Sequence, residues 1–172
     1  ETLRKVEIFD GEKRIWLSKS ACKFSYRDSI FKHKPWLLLN AELSFSKGSK
    51  KKLKKISRDI IAIRLKKYKP SLRCPGSFFK NILVKELSQK TLKIIDRSKI
   101  IKGKLPTGWL LEQVGAKGMR KGGIEIAAWH ANLFFNHGKA QAKDVKSFAK
   151  LLKEKVRRKF GIWLEEEIKY IE

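Results

Sequence analysis

The hydrophobic residues of this chain change their spacing along its length, and that change excludes an all-helical or an all-strand fold. From Trp36 to Phe45 they alternate, with Leu37, Leu39, Ala41, Leu43 and Phe45 on one face, which is the period of a strand with one buried side. After the turn residues Ser46-Lys47-Gly48-Ser49, the residues Leu53, Ile56, Ile60, Ile61 and Ile63 stand among lysines, predicting a helix over Lys50 to Leu65. A second helical run, Val145, Phe148, Ala149, Leu152, Val156 and Phe160, is stopped by Gly161. Asp10-Gly11 between Val6–Phe9 and Arg14–Leu17 signals a hairpin. Leu105 to Val114 reads as a short helix ending at Gly115. Ile124 to Ala127 and Leu133 to Phe135 read as strands, the second before the turn Asn136-His137-Gly138, and Trp163 to Ile171 as a closing strand. Gly122-Gly123 lacks the GxGxxG context of a phosphate loop and reads as a tight turn. Strands and helices do not alternate strictly, so the fold class is α+β.

A chain of 172 residues is long enough for one domain, or for one domain and part of another. Its 42% hydrophobic content excludes a disordered chain. No apolar run approaches the roughly 18 residues of a membrane-spanning helix, and no leader pattern opens the sequence. The single methionine is Met119, so Glu1 is not expected to be a native translation start. Cys22 and Cys74 have neither metal-ligand nor disulfide spacing and read as intracellular thiols, which makes the cytoplasm the expected compartment. The net charge of +25 attracts polyanions. Its lysines are nevertheless spread along nearly every segment, thickening only at Lys50–Lys55 and Arg157–Lys159, and no zinc-finger, RNP-like or basic heptad pattern accompanies them. A solvated, lysine-rich surface without a specific nucleic-acid partner is therefore expected. A basic nucleic-acid-binding module and a non-catalytic interaction domain stay open as alternatives.

Five segments hold residues suited to chemistry. Gly76-Ser77-Phe78-Phe79-Lys80-Asn81 follows a loop marked by Pro70 and Pro75, and Ser77 reads either as a helix N-cap or as a reactive hydroxyl. Arg27, in Tyr26-Arg27-Asp28-Ser29-Ile30-Phe31-Lys32, offers the planar fork that fits a carboxylate, or else pairs with a local acid such as Asp28. Glu167, in Trp163-Leu164-Glu165-Glu166-Glu167-Ile168, lies opposite the apolar face of Leu164, Ile168 and Tyr170. It reads as a cleft carboxylate or as a gatekeeping charge on an edge strand. His130, in Trp129-His130-Ala131-Asn132, reads on its own residues as a structural hydrogen bonder. The fifth segment is Pro106-Thr107-Gly108-Trp109-Leu110-Leu111-Glu112-Gln113.

Taken in chain order, the segments at 26–32, 76–81, 106–113 and 163–168 resemble the UDP-N-acetylenolpyruvoylglucosamine reductase family, from about residue 20 to the C-terminus, as the C-terminal part of such an enzyme. The resemblance implies a flavoenzyme of peptidoglycan synthesis in which NADPH reduces FAD and the enolpyruvyl group of UDP-N-acetylenolpyruvoylglucosamine is then reduced to UDP-N-acetylmuramate. It implies that Ser77 protonates the substrate carbanion, and that Arg27 holds the enolpyruvyl carboxylate and, with Glu167, steadies the enolate. Tyr26, Lys67, Asn81, Glu112, Lys117 and His130 then fall at substrate-pocket positions, with Lys66 and Lys69 competing for the place of Lys67. Ile82 and Glu166 stand where the family carries prolines. No glycine-rich flavin loop precedes Tyr26. Residues 1–46 accordingly resemble the tail of an FAD-binding α+β domain, 47–74 a connecting helix and loop, and 75–172 a small α+β substrate-binding domain. Alone, such a piece is expected to be inactive.

Overall fold

The computed structural model describes residues 2–68 and 72–171 and divides into two units between Tyr68 and Lys69. In the first unit, strands β1 (Leu3–Phe9), β2 (Arg14–Ser18) and β3 (Leu37–Leu43) form an antiparallel sheet in the order β2-β1-β3. The Asp10-Gly11 hairpin forms as expected: the Asp10 carboxylate accepts the Glu12 and Lys13 N–H groups at 3.0 and 2.9 Å, and Gly11 takes φ 112°. Val6 and Ile8 alternate inward on β1 and pack with buried Cys22 against Ile15, Leu17, Phe31 and Trp36. Burial pushes the Cys22 thiol up.

Two expectations for this unit need correction. The alternation along β3 was read as one buried side, but all seven of its residues are exposed, Leu37 at 62% and Leu43 at 50%. Helix α1 (Lys50–Lys67) forms where its period predicted, capped by Ser49, whose hydroxyl accepts the Lys52 N–H at 3.5 Å. Its apolar positions Leu53, Ile56, Ile60, Ile61 and Ile63 are nevertheless exposed. Period selects the element, but burial needs a second surface to pack against.

The second unit is built on the helix α4 (Ala142–Phe160). Of its expected stripe, Phe148, Ala149, Leu152, Val156 and Phe160 are buried, against Phe78, Phe79, Leu110, Leu111, Phe134 and Leu164, and Val145 is partly buried. Gln141 and Asp144 close a capping box at the start, and Gly161, at φ 70°, ends the helix with its N–H on the Arg157 carbonyl at 2.8 Å. Strands β4 (Ile82–Leu83) and β5 (Lys104–Leu105) pair antiparallel. The short helices α2 (Gln89–Ile94) and α3 (Thr107–Gln113) precede a three-stranded sheet of β6 (Arg120–Lys121), β7 (Ile124–Ile126) and β8 (Phe134–Asn136). Gly122-Gly123 is the two-residue turn between β6 and β7; Gly122 takes φ 56°, and a Cβ on Gly123 would lie 2.4 Å from the Ala140 nitrogen.

Here too the sequence reading needs adjustment. Leu105 belongs to β5, and the helix expected from there begins at Thr107 because Pro106 precedes it. Trp163–Ile171 is not a strand: it makes one isolated bridge, Phe79 to Glu166, and is otherwise irregular. The alternation survives locally, with Leu164 fully buried between exposed Trp163 and Glu165.

Candidate active site

Gly76 takes φ 96°, a conformation open to glycine at little cost, and delivers the chain into Ser77. Ser77 starts no helix. It bridges to Leu133 across an irregular pairing and lies exposed, so the N-cap reading of this serine is set aside. Phe78 and Phe79, which follow, are buried, Phe78 stacking on Phe134 with centroids 3.9 Å apart.

Backbone groups on both sides pin this loop. On one side is Asn132, 2% exposed: its amide oxygen accepts the Phe79 N–H at 2.9 Å and its amide nitrogen donates to the Phe79 carbonyl at 2.8 Å. The Asn132 carbonyl accepts the Phe78 N–H at 2.9 Å as well. On the other side, the Lys80 N–H donates to the Glu165 carbonyl at 2.9 Å and the Glu167 N–H to the Phe78 carbonyl at 2.8 Å. Glu167 is therefore tied through its backbone to the residue next to Ser77. Lys80 and Glu165 also form an ion pair.

A cavity of about 330 Å³ opens beside Ser77, lined by Ser77, Asn81, Pro106, Gly108, Trp109, Glu112, His130 and Asn132. Four residues expected from the sequence, Ser77, Asn81, Glu112 and His130, thus meet at one cavity. The Asn81 side-chain oxygen accepts the Thr107 N–H at 3.1 Å, which leaves its NH₂ as the remaining donor. Buried Thr107 locks the same corner by donating its hydroxyl to the Lys80 carbonyl. His130 Nδ1 accepts the Asn132 N–H at 3.2 Å, so a neutral ring in that bond carries its proton on Nε2. Glu112, on α3, pairs with Lys117 at 2.9 Å; Lys117 is not itself a lining residue, and neither is Glu167.

Tyr26 and Arg27 belong to the first unit. They are the central residues of a tight turn closed by Ser25 N–H to Asp28 carbonyl at 3.0 Å and Asp28 N–H to Ser25 carbonyl at 3.3 Å. Arg27 takes φ 57°, the left-handed region a type II turn requires at its third position, where glycine or asparagine is usual. Its guanidinium carbon lies 5.9 Å from the Tyr26 ring centroid, and its carbonyl accepts from Lys32 Nζ at 2.5 Å. The Asp28 carboxylate meets His33 Nε2 at 2.9 and 3.0 Å, and that bond, with the Ser29 N–H, holds its pKa below the usual carboxylate range. Lys67 is the last residue of α1, but its side chain lies outside the described residues, as does Lys69.

Sequence reasoning missed Asn132 as the clamp of the serine loop, although it quoted the segment containing it. The contact spans 53 positions, and no local pattern encodes that pairing. Among the described residues, no cluster of three histidine, cysteine or acidic side chains is placed for a metal, and no helix is long and apolar enough to cross a membrane.

Residues 68–171 match the family described as UDP-N-acetylenolpyruvoylglucosamine reductase, C-terminal domain. A UDP-N-acetylenolpyruvoylglucosamine reductase of Solibacter usitatus is 42% identical over 99% of this chain and 55% of its own length. Proteins of the same name from a Thermotoga species and from Pseudomonas aeruginosa are 33% and 32% identical, over 50% and 58% of their lengths. The crystal structure of UDP-N-acetylenolpyruvylglucosamine reductase from Thermus caldophilus superposes with a TM-score of 0.67 at 25% identity, over 98% of this chain and 52% of that one. The chain spans about half the length of the relatives it matches.

Proposed function

The chain belongs to the UDP-N-acetylenolpyruvoylglucosamine reductase family, and from that premise we propose that it is the substrate-holding part of an NADPH- and FAD-dependent reductase. The reaction converts UDP-N-acetylenolpyruvoylglucosamine to UDP-N-acetylmuramate for peptidoglycan. The observation that carries this reading is the serine loop: Ser77 stands at a cavity of about 330 Å³ with the backbone beside it bonded on both sides. That is the preorganisation a weak acid needs in order to protonate carbon.

The described residues before Tyr26 do not fit a flavin pyrophosphate. Gly11 is the one glycine among them, and it closes the β1–β2 turn. FAD and NADPH therefore enter as reactants of the whole enzyme, and this chain's part is to bind, orient and protonate. Reduction at C3 of the enolpyruvyl group places the electron pair of the double bond on C2, delocalised into the carboxylate. The Arg27 fork would meet that carboxylate, with Tyr26 beside it. Glu167 would steady the enolate, and the Ser77 hydroxyl would deliver its proton to C2, to be replaced from solvent. Asn81 and His130 would present N–H donors to the sugar nucleotide, while Glu112, Lys117 and Lys67 would supply further polar and charged contacts.

Replacement of Ser77 with alanine in the complete reductase tests the reading. Flavin reduction by NADPH should persist, whereas turnover of the enolpyruvyl substrate should fall by about 10²-fold or more, the usual weight of a positioned acid. Equal loss in both half-reactions would assign Ser77 a structural role.

A further inference from the structure

The backbone bonds that place Glu167 beside the serine loop lie in a segment with no regular secondary structure. Something other than a strand ladder must hold it. The side chain of Glu166 meets that need, because both its carboxylate oxygens are engaged in a largely buried setting. Oε1 pairs with Lys153 Nζ of α4 at 2.5 Å, and both side chains are over four-fifths buried, at 17% and 16% exposure. Oε2 accepts the Tyr170 hydroxyl at 2.7 Å. The two partners are themselves held: Lys153 Nζ lies 5.8 Å from the Trp163 ring centroid, and Lys146 Nζ lies 4.9 Å from that of Tyr170.

The geometry has a further consequence. The bridge between Phe79 and Glu166 is closed by the N–H groups of Lys80 and Glu167, and neither bond uses an atom of Glu166. Glu166 thus holds its neighbours by its side chain, fastened to the helix that carries the core. We propose that Lys153, Glu166 and Tyr170 form a positioning clamp that fixes the Glu165–Glu167 backbone against Phe78–Lys80 and so sets where the Glu167 carboxylate stands relative to Ser77. None of the three lines the cavity at Ser77, so they act through Glu167. The inference rests on the assignment of Glu167 proposed above.

Amide hydrogen exchange on this chain, with Lys153→Met, Lys153→Arg and Glu166→Gln, tests the clamp without recourse to catalysis. The Lys80 and Glu167 amides should exchange about tenfold faster in Lys153→Met and Glu166→Gln, the scale of a coupled, partly buried pair. The α4 amides of Leu152 and Val156 should change much less, and Lys153→Arg should restore most of the protection. Unchanged exchange at Lys80 and Glu167, or a loss shared equally with α4, would overturn the clamp. In the complete reductase, Lys153→Met should lower kcat with little change in KM, and Lys153→Arg should recover it; a loss confined to KM would count against positioning. Full activity in Glu167→Gln would instead sink the catalytic assignment, leaving the exchange result to stand alone.

Discussion

Arg27 carries a backbone cost that its neighbours do not. A side chain at φ 57° crowds its own carbonyl, and asparagine or glycine relieves that for about 1 kcal/mol. Residues held this way gather at functional sites, where a side chain is kept for what it does. Arg27→Asn should therefore raise unfolding free energy by about 0.5–1 kcal/mol in a urea titration, and abolish turnover in the complete reductase. Arg27→Lys keeps both strain and charge but loses the fork, so stability should hold while turnover falls. A destabilised Arg27→Asn would show that the turn depends on the arginine itself. Asn132 makes the opposite case, a residue kept for structure. Asn132→Ala strands the buried Phe79 N–H and carbonyl and should cost about 2–3 kcal/mol by the same titration. At this scale the motif residues Ser77 and Asn81 were legible in the sequence, because they lie inside one unbroken segment. Asn132 was not, because its partner is far along the chain. Glu166 was legible only as a departure from proline; its use became visible once Lys153 and Tyr170 were placed.

Elements were legible where a period and a stop signal coincide. The helix α4 has both, an apolar stripe and Gly161: it ends at Phe160 as expected and begins at Ala142, three residues before the first stripe residue, Val145. Trp163–Ile171 has the alternation of a strand, yet among the described residues its pairing stops at one bridge, Phe79 to Glu166. Tyr170 reports on this segment. Burial first, then the bond to Glu166, pushes its phenol well above the ordinary tyrosine range. The unfolded chain loses that proton near pH 10 while the folded chain retains it, so stability is unaffected below pH 10 and declines as pH rises past it. Tyr170→Phe should flatten that alkaline decline in a series of urea titrations from pH 8 to 11. An identical decline in the variant would place its source elsewhere. The exposure of β3 and α1 was not legible: their patterns specify one apolar face each, and a pattern does not reveal whether a surface lies across from it.

For the whole molecule, the question is what the charge of +25 and the cavity each do. The Lys50–Lys55 cluster lies at the exposed start of α1, and the cavity lies in the second unit. Neutralising the cluster should weaken oligonucleotide binding, which should itself fall steeply with salt, and should leave turnover of the complete reductase nearly unchanged. Sequence-selective binding that survives moderate salt would favour the nucleic-acid alternative. The family was legible because four motifs stand in order, whereas the division at Tyr68 and Lys69 is a matter of contacts that the motifs do not carry. The claim that the second unit holds the sugar nucleotide is tested most directly by amide NMR on this chain. On titration with UDP-N-acetylmuramate, the Ser77, Asn81, Trp109 and Asn132 resonances should shift together and saturably, and FAD should leave them unmoved. Shifts confined to residues outside the cavity, or the same shifts from an unrelated polyanion such as an oligonucleotide, would contradict the account.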